Sequence, residues 1–595
     1  MPLILREFLM KKCAQLLAMS CVLAGLASAD VLYVDGGAAG GDGLSWGTAF
    51  GDLQIAINAA QTGDEIWIRK GLYQPLTRAP GSSGSAFLLR DGVEIYGGFL
   101  GDETQLEQRD PSVHLTTLSA AGDLAVLHVL EGTGLGPETV IDGFTISDGT
   151  GGDTGIGGVG GAGGGMLLIE SSPTVIGCVF TQNSTRIGSG VYVQDGSPVF
   201  LDCDFLSNQS VRSGEGGGIY AIVTQPGQTQ SLLVSGCVFA NNSVRQGHYA
   251  TGNGAGIFAG DGVVLTVLDS EFTSNYGWHN GSFGNAVVGG AIAVLGDGTL
   301  IQNCSFITNY SNLGAGIYSA GDIQIVQSLF IANRAVGAST CGGFDCPSDV
   351  PDVYSGWGGA MFVNSLAIAD LVQCTVASNW SSDSGGGVAC NGSIRNSVLW
   401  DNRSPQPCCG EDPLPLSRMQ YEFDASIEYS CVEGLLTPVP GEDPPNPNGF
   451  PGSNELDPMF VAPTPISTGF GWLTGEIGDH RLRSGSPAID AGQNGFLPSW
   501  LAMDFDGNLR IVDDPGTVDT GSGGPAIVDM GVYELQDVQA CAADLTGDGV
   551  LDIFDVFAFL DLFNTGDPGA DFTGDGSLDI FDVFAFLDLF NAGCP

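Results

Sequence analysis

The chain has 595 residues and few charges: 14% of its residues are charged, 67 acidic against 18 basic, for a formal net charge of -49. That balance excludes a nucleic-acid partner, because phosphate binding needs a basic footprint, and it makes cations the natural counterions. Gly is abundant, at 93 residues, without the G-X-Y period of collagen, and an apolar content of 43% excludes simple disorder.

Residues 1–29 read as a secretory signal peptide. Arg6, Lys11 and Lys12 precede an apolar run from Cys13 that ends in the small-x-small site Ala27-Ser28-Ala29. Cleavage after Ala29 is expected, giving a secreted, extracellular or cell-surface protein. No later run reads as transmembrane, so no membrane-spanning segment is expected in the mature chain. Of 15 cysteines, Cys13 and Cys21 lie in the leader. The remainder is odd in number, so not all pair internally, although export permits disulfides. Downstream, Leu53, Ala56, Ile57 and Ala60 follow helical spacing, so Asp52 to Ala60 reads as a short capping helix.

From Gly163 two words alternate. One is Gly-small-small-apolar, as in "GGGM" at Gly163, "GGGI" at Gly216 and "GAGI" at Gly254. The other is Phe-x-x-Asn, at Phe180, Phe205, Phe239, Phe272, Phe306 and Phe330, with degenerate copies at Val376 and Leu399. The Asn-to-Asn spacings are 25, 34, 33, 34, 24, 46 and 23 residues, a fixed unit with insertions. Short Val-, Ile- and Phe-rich segments between Gly and Asn are strands. Such units cannot bury an apolar face alone and must stack, each coil about 4.8 Å above the last. Cys or Ser stands two residues before each Phe, which puts both on one strand face, expected to point inward. The Asn row (Asn183, Asn208, Asn242, Asn275, Asn309, Asn333, Asn379) reads as a structural stack of hydrogen-bonded amides. In the Cys row, Ser270, Ser328 and Ser397 replace Cys in three coils, so covalent pairing is not required and the row reads as buried small side chains.

These words resemble the right-handed parallel β-helix, the pectate-lyase-like architecture. More narrowly they are similar to the repeats of the chlamydial polymorphic membrane proteins, a family of surface adhesins. "LRDGVEIYGGFLGDET" from Leu89 resembles the first coils of large exported β-helix proteins, and "ELDPMF", "LRSGSPAIDAG" and "VDMGVYE" resemble their closing segment. A mainly β solenoid with an N-terminal cap and closing C-terminal coils is therefore expected over residues 30–535.

Nearly all extra length falls between the Asn of one word and the Gly of the next, so the insertions leave on one flank. They carry His248, Tyr249, Tyr276, Trp278, His279, Tyr354 and Trp357, with Trp380 in the next one. Binding usually sits on loops held by a rigid scaffold, and aromatic rings suit a sugar or a protein surface. These residues are the candidate ligand face, for a polysaccharide or a cell-surface ligand, and recognition or adhesion is the expected function. The alternative is a carbohydrate-active enzyme, a polysaccharide lyase or glycoside hydrolase in a polysaccharide-degrading assembly. No catalytic residue can be named for it: Lys70 is the single Lys after the leader, and "DFDG" at Asp504 followed by Arg510 reads as a turn. Cys341 and Cys346 share one insertion and are a candidate disulfide. Cys408 and Cys409 have Cys390 or Cys431 among their alternatives.

The C-terminus holds a second repeat, "DLTGDGVLDIFDVFAFLDLFN" from Asp544 and "DFTGDGSLDIFDVFAFLDLFN" from Asp571, 27 residues apart. Asp544, Thr546, Asp548, Val550, Asp552 and Asp555 take positions 1, 3, 5, 7, 9 and 12 of an EF-hand-type calcium loop, with Gly549 at the sharp turn. Asp571, Thr573, Asp575, Ser577, Asp579 and Asp582 repeat the set. Calcium is hard and takes several oxygens, and these residues supply them, with Ca2+ expected at two sites. Each loop leads into one helix. The pair resembles a dockerin type I module, the calcium-dependent plug that docks cohesin domains, over Cys541 to Pro595 after a linker at 536–540. Loop positions that are polar in that family are here Ile553-Phe554 and Ile580-Phe581, which points to a cohesin-like or other partner with an apolar face. Cys541 and Cys594 bracket the module and are a candidate clasp.

Overall fold

The computed structural model describes residues 30–592 apart from 76–84, 121–125, 152–160, 246–252, 279–286, 338–355, 383–384, 405–419, 423–424, 437–448, 466–476, 525, 537–542, 544, 547–550, 552 and 575. The solenoid is a parallel β-helix. One coil runs Val191–Gln194, Val199–Leu201, Asp204–Leu206 and Gln209–Glu215, and the next restarts at Ile219–Ile222 directly above the first of these. Equivalent strands pair in parallel. The first sheet runs from Val31–Val34 to Ala425–Glu428, the second from Ser85–Leu88 to Tyr421–Glu422, the third from Gly71–Tyr73 to Cys431–Val432, and the fourth from Ser184–Ile187 to Trp380–Ser381. No helix among the described residues is long and apolar enough to cross a membrane.

The repeated words build the interior. In-register stacking sets Phe180, Phe205, Phe239, Phe272, Phe306 and Phe330 face to face, with centroids 4.9, 4.5, 4.7, 5.0 and 4.6 Å apart. Those separations are the strand spacing itself, about 4.8 Å. The Asn row behaves as its spacing predicts. Each Nδ2 donates to the Oδ1 of the Asn one coil on, at 2.9 to 3.0 Å from Asn183 through Asn379 to Asn402. The same Oδ1 also accepts the neighbour's backbone N–H, and the second Nδ2 proton reaches a Phe carbonyl, as in Asn242 to Phe205 at 2.7 Å. Every donor and acceptor of these buried amides is thus used. The row ends where Asn402 Nδ2 meets Gln420 Oε1 at 2.7 Å and Gln420 turns to Glu433.

The Cys row has a bonding role that its composition alone did not disclose. The backbone N–H of Cys203 donates to Cys237 Sγ at 3.3 Å, and that of Cys237 to Ser270 Oγ at 3.1 Å. Cys304 and Cys374 donate likewise to Ser328 and Ser397. Either side chain can accept from one coil and donate within its own, as Ser270 Oγ does to the Leu268 carbonyl at 2.7 Å, which is why the two residue types interchange. Cys390 and Cys431 are also free, fully buried thiols inside the fold, so they are not partners for Cys408 or Cys409. Cys341, Cys346, Cys408, Cys409, Cys541 and Cys594 lie outside the described residues.

Helix α1 (Leu53–Ala59) caps the first coil. Asp52 is its N-cap, accepting the Ile55 N–H at 3.0 Å, and Leu53, Ala56 and Ile57 are buried. At the other end the coils stop at Val432, and the closing segment works from the side. Phe460, Leu482, Ile489, Met530 and Val532 pack on Leu329, Ile331, Ala377 and Val398, which face outward from the third sheet. Val532 N–H donates to Thr375 Oγ1 at 3.1 Å, and Gln373 Nε2 to the Asp529 carbonyl at 3.0 Å.

The C-terminal unit has its own small core. Helices α2 (Ile553–Thr565) and α3 (Ile580–Ala592) meet through Phe559 and Phe586, stacked with centroids 4.3 Å apart, beside Ala543 and Ala570.

Candidate functional site

In the coils from Ser184–Ile187 to Trp380–Ser381 the chain turns from the fourth sheet to the second at one corner, and that corner is where the insertions leave. Residues 246–252 join Ser243–Arg245 to Ile257–Ala259, 279–286 join Tyr276–Trp278 to Ile292–Val294, and 338–355 join Arg334–Ala335 to Met361–Val363. His248, Tyr249, His279 and Tyr354 lie outside the described residues. Trp278 ends its strand in register with Arg245.

Two rows of side chains frame this corner. On the fourth sheet Ser184, Gln209, Ser243, Tyr276, Tyr310, Arg334 and Trp380 are successive register partners. The Arg334 guanidinium lies 4.8 Å over the Trp380 ring. Trp380 is only 7% exposed, which corrects its placement as a ligand-face ring: it is the platform for Arg334. On the second sheet Tyr192, Tyr220, Phe258, Ala293, Tyr318 and Phe362 align, with rings stacked at 5.5 Å, 4.8 Å and, for Tyr318 on Phe362, 5.8 Å. Trp357, half-buried, leans on Phe362 at 5.9 Å. Both rows were readable in principle. One is the residue after each word-final Asn, and the other is the residue after each Gly-small-small-apolar word.

Several arginines on the coils are engaged in holding carboxylates. Arg109 pairs with Asp142, Arg395 with Asp370 and Arg403 with Glu433, each at 2.6 Å. These contacts tie neighbouring coils together. The "DFDG" turn is present, with Asp504 Oδ1 accepting from Asp506 and Asn508, but Arg510 is more than its exit. Arg510 is buried and donates to the carbonyls of Val532, Asp529 and Gly531. Burial pushes the neighbouring carboxyls of Asp529 and Glu534 up, and Asp529 raises Glu534 further. This network holds the closing segment together.

The C-terminal loops place some of their expected ligands in view. Thr546 N and Oγ1 both donate to Asp555 Oδ1 at 3.0 Å, and Thr573 N and Oγ1 do the same to Asp582 Oδ1. Asp582 and Asp579 also form a reciprocal cap on α3: Asp579 N–H reaches Asp582 Oδ2, and Phe581 N–H reaches Asp579 Oδ1, each at 2.8 Å. The Asp579 N–H, with Thr573, holds the Asp582 carboxyl below its ordinary value and so charged. Asp571 accepts from Gly574 and Gly576 at 2.8 Å, and Gly576 takes φ of 82° at the turn position. Ser577 is described, whereas Asp544, Asp548, Val550, Asp552 and Asp575 are not. The donors are oxygens throughout, a set that fits a hard cation such as Ca2+. Beside the loops the helices leave Phe554 61% and Phe581 63% exposed, with Ile553, Phe557, Ile580 and Phe584 each more than half exposed.

The family model described as "Right handed beta helix region" matches residues 138–288. The chain is similar to a probable autotransporter, YfaL of Escherichia coli K12, being 25% identical over 450 residues that cover 62% of this chain and 34% of that protein. It thus spans about a third of the length of the curated relative it matches. Among solved structures, pectate lyase Pel9A aligns over 86% of this chain and 98% of its own at 13% identity, with a TM-score of 0.36. A rhamnogalacturonan lyase aligns over 71% and 94% at 11% identity, with a TM-score of 0.27.

Proposed function

We propose that this is an exported recognition protein: a rigid β-helix shaft that presents a ligand-binding flank, attached through a calcium-dependent C-terminal docking unit. The observation that carries the reading is the paired apolar face of α2 and α3. Each helix spends Phe559 or Phe586 on its sister and leaves Phe554 and Phe557, or Phe581 and Phe584, more than half exposed. Exposed aromatic side chains clustered on so small a unit mark an interaction site. The partner is accordingly one that offers an apolar groove, in the manner of a cohesin-like receptor.

Ca2+ would be held by Asp544, Thr546, Asp548, Val550, Asp552 and Asp555, and by their counterparts from Asp571 to Asp582. When bound it supplies the positive charge that offsets clustered carboxylates. The chain's own part is to fix Asp555 and Asp582 through Thr546 and Thr573, so that each loop and its helix move as one piece. On the shaft, the half-buried Tyr276 and Tyr310 on one side of the corner and Tyr220 on the other support recognition of a polysaccharide or cell-surface ligand. Export and surface placement accord with the leader and with the autotransporter similarity. The test is capture of a partner from the secreted fraction by full-length protein, with Ca2+ and with chelator. Capture that needs Ca2+ and is lost in Phe554→Ser/Phe581→Ser supports the reading. Capture indifferent to both would sink it.

A further inference from the structure

A second acidic constellation lies in the closing segment, away from the C-terminal loops. Asp490, Asp513 and Asp519 each bring one carboxylate oxygen within 4.8 Å of the others. Asp513 and Asp519 are exposed and belong to the stretch "DDPGTVD", which lies over Asp490. Asp490 is fully buried. Its Oδ2 accepts the Asp514 N–H at 3.2 Å, but its Oδ1 is buried with no hydrogen-bond donor. Among the described residues no Lys or Arg forms an ion pair with any of the three.

A buried carboxylate oxygen without a donor is costly, on the order of 1–3 kcal/mol or more. Two further carboxylates drawn toward it add repulsion. The surroundings hold the arrangement in place. Asp490 N–H is fixed by Asp529 Oδ1 at 2.8 Å, and its carbonyl accepts from Thr520 and Gly521 at 3.0 Å. The stretch itself is braced by Asp514, whose carboxylate accepts from Gly516 and from the Thr517 hydroxyl.

We propose that Asp490, Asp513 and Asp519 form a divalent-cation site that takes Ca2+ and pins residues 513–519 onto the closing segment. Three carboxylates and no nitrogen or sulfur ligand suit a hard cation, and two exposed ligands leave room for water to complete the six to eight oxygens that Ca2+ takes. With so few protein ligands at the surface, the dissociation constant falls on the order of 10⁻⁴ M, as in extracellular calcium modules. The ion bridges positions 490, 513 and 519, so it resists lifting of residues 513–519 from Asp490. This site stands independently of the C-terminal loops.

The experiment is hydrogen exchange on full-length protein, read at the peptide covering residues 511–522, with and without CaCl2. At free Ca2+ about tenfold above the dissociation constant, exchange there slows about tenfold by mass action. The slowing disappears in Asp513→Asn/Asp519→Asn and persists in Asp571→Asn/Asp582→Asn, which disables a C-terminal loop. No Ca2+-dependent slowing in the wild type, or equal slowing in Asp513→Asn/Asp519→Asn, overturns the proposal. Neither outcome touches the reading of the C-terminal unit.

Discussion

In the shaft, Phe239 has Phe205 on one side and Phe272 on the other, and all three rings are fully buried. In the C-terminal unit the repeat has two copies, and Phe559 has Phe586 for its stacking partner. A repeat that continues covers each new face with the next copy, and a pair leaves outer faces uncovered. Polar groups follow the same contrast. The Asn amides of the shaft are saturated along the stack. The Asp555 and Asp582 carboxylates close local turns around acidic loops and leave those loops rich in negative charge. One architecture covers its own faces, while the other leaves aromatic side chains exposed beside acidic loops.

The comparison can be broken most directly at its rings. Phe239→Ala is expected to cost about 3–5 kcal/mol, because the stack cannot collapse into the gap. Phe554→Ala and Phe581→Ala are expected to stay within about 0.5 kcal/mol, as surface changes do. Chemical denaturation checks both, and an equal cost would show that the exposed face is packed after all. Next in size is Asn275→Ala. It leaves the backbone N–H and Nδ2 of Asn242 without their acceptor in a dry interior, for a loss of about 2–4 kcal/mol. Within the shaft the smallest effect belongs to Cys237→Ser, under about 1 kcal/mol, since Ser270 already does the same work one coil away. A loss as large as that of Asn275→Ala would mean that the row depends on sulfur packing and not on the hydrogen bond.

Much of this was legible from local pattern. The word Phe-x-x-Asn specifies register, because a slip of one residue would turn Phe and Asn outward together. The spacing of Leu53, Ala56, Ile57 and Ala60 announces α1, and the insertion spacing predicts the loop-bearing corner. Other features had a signal that needed the register to be seen. Tyr310 and Arg334 join Tyr276 in one row once strands are aligned. Leu329 puts an apolar residue on the outside of its strand, where its register equivalents Ser305 and Glu271 are polar, and the closing segment covers it.

The sequence by itself determined the repeat, the inward and outward faces of each strand, and the acidic loop-helix pairs, because these depend on residues a few positions apart. The tertiary structure decided what distant residues do together. Burial of Arg510 under the Val532 carbonyl, removal of Trp380 from solvent by Arg334, and convergence of Asp490, Asp513 and Asp519 each depend on chain segments that meet through folding alone. No local periodicity encodes those meetings, since they arise from which faces the closing segment and the coils have left to cover.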